Sequence, residues 1–230
     1  MPDATVPEGV VRAAAIVDRI FHAILAHRLP AGTKLAESAL CDAFAASRAT
    51  VRRALLMLAE RGTVTLHPNR GAFVASPSPA EARAVFEARR VIEATVAANA
   101  ARSAAAADLA QLRAQLAREA RAHHDGNRNE AIRLSGEFHV ALADCAGNPV
   151  LARFVAGLVA RTSLIIGLFG GSAPTLCRSD EHAAILAALA HHDGAAATRL
   201  MLAHLGQIEG ELVLDKQDDT RIDVAAVLRG

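Results

Sequence analysis

The chain has 230 residues, enough for two modest domains with separate cores, and 52% of them are apolar against 21% charged, a balance typical of soluble globular proteins. Trp and Tyr are absent and only seven Phe occur, which argues against an aromatic stacking platform for single-stranded nucleic acid. The net charge of +1 is uneven: residues 1–76 carry nine Lys/Arg against six Asp/Glu, and residues 77–230 carry sixteen against eighteen. A mildly basic first third suits a polyanionic partner without requiring one.

Cys41, Cys145 and Cys177 are widely spaced and odd in number, and no CxxC pair occurs, so neither a disulfide framework nor a thiolate zinc site is expected. The N-terminus has no basic segment followed by an apolar run, and no uninterrupted apolar stretch approaches the roughly 18 residues of a membrane span. A cytoplasmic protein with no membrane partner is the expectation.

In chain order, the first helix is predicted over 8–27, where Val10, Ala14, Val17, Phe21 and Ile24 form one apolar stripe. Leu29-Pro30-Ala31-Gly32 ends it. A short helix over 37–44 places Leu40 and Phe44 on one face. Ala45-Ala46 makes a tight turn, and Ser47 is placed to cap a helix that runs to residue 61. Two β-prone pieces, 63–66 and 72–74, flank His67-Pro68-Asn69-Arg70-Gly71 and read as a small hairpin or wing. Ser76-Pro77-Ser78-Pro79 is the clearest boundary, since two closely spaced prolines break regular structure. Six helical segments follow, over 80–103, 106–124, 129–146, 149–169, 179–192 and 194–214, separated by Gly, Asn, Asp and Pro turns. The expected fold is therefore mainly α, a winged helix-turn-helix followed by an all-α antiparallel bundle of about six helices. The corresponding domains are 1–76, a linker at 77–79, 80–215, and a charged tail at 216–230.

The informative stretch is Ser47 to Leu55. Val51, Leu55 and Leu58 fall on one face, while Arg48 and Arg52, four apart, project together from another near the helix N-terminus. A helix-turn-helix presents residues to the major groove at that point, and an arginine fork matches guanine O6 and N7. Ser47 and Thr50 can bond phosphates beside the N-terminal amides. Taken alone, the arginines serve equally well as a solvated face. The order of three motifs sharpens the reading: Pro30-Ala31-Gly32-Thr33-Lys34-Leu35-Ala36-Glu37, then Ser47-Arg48 through Leu55, then Asn69-Arg70-Gly71-Ala72-Phe73-Val74. This text resembles the GntR family of bacterial regulators. The resemblance implies that Arg48 and Arg52 contact bases, that Arg53 goes to phosphate or solvent, and that the wing around Arg70 and Gly71 approaches the minor groove. Ser38 stands where some relatives place an arginine, so one contact of theirs is not carried over.

Of ten histidines, His139, His182 and His204 lie on three different predicted helices, and imidazoles from separate helices can converge in a bundle core to hold a metal. Scattered histidines are otherwise ordinary hydrogen-bonded residues. The second half of the chain resembles the FCD-type ligand-binding domain of one GntR branch. In metal-binding members an Asp or Asn precedes the first histidine by four residues, and two later histidines follow. His139, His182 and His204 match the histidines, whereas Ser135 occupies the carboxylate position as a possible fourth ligand. The resemblance thus implies a divalent transition metal, zinc or nickel, with open positions for water or effector. Glu137 is two residues from His139 and should point elsewhere. Arg89 matches an arginine that the family turns into its cavity, and Arg161 interrupts an apolar helix, so both are candidate anchors for a small carboxylate. An exposed or internally paired arginine is the alternative for each.

These readings converge on a ligand-responsive regulator, expected to be a repressor, that binds a short palindromic double-stranded DNA operator as a homodimer. A sensor in which the metal itself is the signal is the alternative. A metalloenzyme is the remaining one, and no acid or base motif beside the histidines favours it.

Overall fold

A computed structural model describes residues 8–25, 28–170 and 179–214. His27, Cys177 and the proposed charged tail at 216–230 lie outside the described residues. The N-terminal unit contains α1 (Glu8–Leu25), β1 (Lys34–Leu35), α2 (Glu37–Phe44), α3 (Arg48–Glu60), β2 (Val64–His67) and β3 (Gly71–Val74). Ala45 takes the left-handed conformation (φ 47°) and turns the chain between α2 and α3. Ser47 then caps α3, its hydroxyl oxygen accepting from the Thr50 amide at 3.2 Å. Val51, Ala54, Leu55 and Leu58 form the buried face of α3 and pack with Ile16, Val17 and Ile20 of α1. The wing is the expected hairpin, paired from Val64↔Val74 to His67↔Gly71, with Gly71 at φ 92° where an L side chain would be strained. A third strand went unpredicted: β1 pairs with β3 through Lys34↔Phe73 and Leu35↔Ala72, giving the order β1-β3-β2. Two residues are too few to show alternation.

The bundle contains α4 (Pro79–Ser103), α5 (Ala106–His124), α6 (Arg128–Cys145), α7 (Pro149–Phe169), α8 (Ser179–Ala190) and α9 (Gly194–Gly210). All six segments match the sequence reading to within a few residues at either end. α4 packs on α6, α7, α8 and α9, and its Val96, Ala97, Ala100 and Ala101 enter one core with Phe138, Leu142, Met201 and Leu205. Alanine-rich faces let these helices approach closely, and each apolar contact contributes by excluding water.

Two features correct the expected division of the chain. Ser78 and Pro79 are not linker: Ser78 caps α4 in a reciprocal capping box with Glu81, and Pro79 is its first residue. The units also share packing. Leu164 of α7 belongs to the core of the N-terminal unit, and Phe21 of α1 packs against the bundle core. α7 is long and apolar enough to cross a membrane, but half of that stretch is buried inside the protein.

Candidate functional site

The exposed face of α3 carries Arg48, Arg52 and Arg53 in its first two turns. Arg48 and Arg53 have no ion-pair partner among the described residues. Arg52 is different: its Nε donates to both carboxylate oxygens of Glu37 at 2.9 Å, which fixes the side chain and leaves its terminal nitrogens for other acceptors. The Ser47 and Thr50 hydroxyls lie 2.9 Å apart at the helix N-terminus. Arg70 sits at the wing turn, its guanidinium 5.8 Å from the centroid of the Phe73 ring, next to exposed Gly71. The arrangement presents cations from a helix N-terminus and a hairpin tip, the two features needed to engage a groove and its flanking phosphates.

The second site lies inside the bundle. α6 supplies His139, α8 supplies His182 and α9 supplies His204, each at most 2% exposed. The His204 Nε2 lies 3.0 Å from the His182 Nε2 and 3.2 Å from the His139 Nε2, and one nitrogen from each of the three falls within 4.8 Å of the others. The Nδ1 atoms all point outward to carboxylates: Glu93 (2.6 Å) behind His139, Glu119 (3.0 Å) behind His182, and Glu181 (2.7 Å) behind His204. With each Nδ1–H donating to its glutamate, three Nε2 lone pairs face one point. Lone pairs so placed repel unless a cation or a shared proton lies between them. Around tetrahedral zinc, with Zn–N near 2.0–2.1 Å, ligand nitrogens lie roughly 3.3 Å apart. The donor set therefore fits a metal, and the outer carboxylates fit the usual orientation of metal-bound imidazoles.

The electrostatics agree. Burial is the main force lowering the His139 pKa to about 3, against the pull of Glu93, and burial also holds His182 well below its ordinary value. Both rings are thus neutral ligands at neutral pH. Glu93 feels burial pushing it up, but Arg89 and His139 outweigh this and hold it ionised. Burial lifts Glu119 to about 7, opposed by His123 and His204.

Ser135 is buried one turn before His139 and lines a small space beside it with Arg89, Gly136, Val159, Thr162, Ser163, Ile166 and Ile208. The space open to the centre of a water molecule there is about 20 Å3, little more than one water requires. Glu137 points away, pairing with Arg133 and Arg118, as expected. Arg89 reaches the cavity as the resemblance implied, but its charge is already met by Glu93 at 2.5 Å; one terminal nitrogen, Nη2, is buried without a hydrogen-bond partner among the described residues.

Arg161 is a correction. It does not line this cavity; its side chain lies across Gly62 at the end of α3 and borders a surface cleft with Arg61, Arg153 and Phe154. A helix faces several ways at once, and an arginine among apolar residues does not reveal which neighbour receives it. The sequence reading also missed Glu93, Glu119 and Glu181 as partners of the histidines. Glu181 adjoins His182 yet serves His204, and the other two come from 46 and 63 residues away. Their only local trace is an acidic residue inside a helix otherwise facing a core.

Comparison with known proteins agrees with both halves. Residues 12–74 match the family described as bacterial regulatory proteins, gntR family, and residues 84–207 match the FCD domain. The HTH-type transcriptional repressor RspR of Escherichia coli K12 is 29% identical over 88% of this chain and 90% of its own length. The HTH-type transcriptional regulator LutR of Bacillus subtilis is 30% identical, covering 80% of this chain and 93% of that protein. In fold, E. coli McbR/YncC superposes with a TM-score of 0.77 at 21% identity, covering 85% of this chain and 94% of that one. A GntR regulator from Rhodococcus sp. RHA1 gives 0.74 at 21% identity over 90% of this chain and all of that one. An N-terminal reading head joined to a helical bundle with a buried histidine centre has a plain meaning in this light: the chain belongs to the GntR family of bacterial DNA-binding transcriptional regulators, in the branch that carries an FCD domain, and is not an enzyme.

Proposed function

We propose that the chain is a ligand-responsive repressor that binds a short palindromic operator as a homodimer and is released by a small carboxylate. In this reading a divalent metal, zinc or nickel, is held by His139, His182 and His204, and supplies a Lewis-acidic anchor for a carboxylate oxygen. The observation that carries it is the convergence of three buried imidazoles, each backed by a glutamate. Arg89 supports an anionic ligand through its unpartnered Nη2 at the cavity wall. A simple surplus of positive charge does not, because Glu93, Glu119 and Glu181 ring the histidines. Dimerisation follows from the few bases one recognition helix can read, and the large apolar residues Val91 and Phe154, 69% and 58% exposed on α4 and α7, are available for it.

A second reading is that the metal itself is the signal. A carboxyl group already stands behind each histidine, and the adjoining space is only about 20 Å3. One experiment separates the two. An operator selected from a random duplex pool is titrated with metal-free protein, with zinc-loaded protein, and with zinc plus a panel of mono- and dicarboxylates. A carboxylate reader changes affinity only in the third arm, by about 5–150-fold, the usual range of coupling between sites. A metal sensor changes it already in the second. No change in any arm contradicts both.

A further inference from the structure

α7 has two working faces. Val159, Thr162, Ser163 and Ile166 form one stripe, and all four line the cavity beside His139. Gly157, Arg161 and Leu164 form another, and all three meet the DNA-binding unit. At about 100° per residue these stripes lie roughly 180° apart, on opposite sides of the helix. The second stripe is fitted to the end of the recognition helix. A Cβ on Gly157 would lie 3.8 Å from the Arg61 carbonyl oxygen. A Cβ on Gly62 would lie 3.2 Å from the Arg161 Cδ and 3.4 Å from its Nε, and Gly62 also needs its left-handed φ of 68°. The Arg161 Nε is buried there without a hydrogen-bond partner among the described residues, and its charge acts on the Glu81 carboxylate at the start of α4. Leu164, 3% exposed, completes the joint by entering the core that also contains Val51, Leu55 and Leu58 of α3.

From this geometry we infer that α7 is the lever between the two sites, and that Arg161 is the positioning residue through which occupancy of the cavity reaches the recognition helix. The inference rests on the ligand-responsive reading above, but its test needs no ligand. A space of about 20 Å3 cannot admit a carboxylate unless a wall moves. Four of its lining residues belong to α7, whose far side carries Arg61 and Gly62. Close-packed helices shift as bodies rather than deform, so outward displacement of α7 pushes on the C-terminal end of α3. The first two turns of that same helix bear Arg48 and Arg52, roughly 20 and 14 Å away along its axis, so a tilt at one end re-aims the residues at the other.

The test is a double-mutant cycle in the full chain on one selected operator, with Ser163→Leu filling the cavity in place of a ligand. Thr162→Leu takes its place in the cycle should Ser163→Leu fail to fold. Operator Kd is measured for wild type, the filler, Arg161→Ala and the double variant, each first shown to be folded by its thermal unfolding transition. The filler changes operator affinity by about tenfold in the wild-type background and by less than about twofold beside Arg161→Ala, a coupling within the usual allosteric range. Arg161→Lys, which keeps the stem over Gly62, restores most of the response. An equal factor with and without Arg161, or no change in affinity with a folded filler, overturns the inference. Neither result bears on whether the histidines hold metal, so failure of the lever and failure of the metal reading remain distinguishable.

Discussion

Arg48 and Arg52 share the exposed face of α3, yet their surroundings differ. Arg48 is unpaired among the described residues, whereas Glu37 holds Arg52 through Nε. Arg48→Ala therefore removes a free guanidinium at the helix N-terminus without disturbing a neighbour. Operator binding should weaken by about 1–3 kcal/mol, with specificity relaxed at one base position. Titration against the selected operator and single-base variants checks this; unchanged affinity and specificity in a folded variant would mean that a different face of α3 reads the DNA. Single residues were also where sequence reading succeeded and failed most clearly. The three histidines were legible because family resemblance fixed their positions. Their glutamate partners were not, because Glu93 reads locally as an i, i+4 partner of Arg89, which it also is. A buried side chain with two partners shows only the near one in sequence.

At the scale of elements, helix boundaries were readable because turn chemistry punctuates the chain: Asn127, Asn148 and Asp193 each accept from amides of the helix they precede. The start of α4 shows how such punctuation can mislead. Ser78-Pro79 has the composition of a linker, but it is also the composition of a helix start, and the reciprocal bonds with Glu81 decide between the two. Ser78→Ala should therefore lower stability by about 1 kcal/mol in denaturant unfolding. The backbone and side-chain bonds from Ser78 hold the Glu81 pKa below its ordinary 4.5. A carboxylate with a depressed folded pKa contributes stability that is present above the unfolded value and lost as pH falls through the folded one. The difference between wild type and Ser78→Ala should accordingly be full at pH 6 to 7 and shrink as pH falls below about 4.5. A difference that persists undiminished in acid would show that the ionised Glu81 contributes nothing to the capping box. The shared roles of α1 and α7 were illegible for a different reason: a helix apolar on most sides does not disclose that its faces belong to two cores.

Across the whole molecule, a basic reading head and a bundle with a buried polar centre are joined by helices that each serve both. Burying three histidines, Glu93, Glu119 and Arg89 in one region, with Glu181 half-buried at its edge, is costly for a fold unless the charges are paired or bridged. The pairing seen here leaves one requirement open, a cation among three facing Nε2 atoms. Calorimetric titration of the metal-stripped, untagged protein with zinc chloride tests this most directly. The account predicts one high-affinity zinc per chain, its loss in His204→Ala, and a weakening of about 10–100-fold in Glu119→Gln, which keeps the size of the side chain but replaces the carboxyl group behind His182 with an amide. Absence of stoichiometric binding, or the same binding in folded His204→Ala, would contradict it.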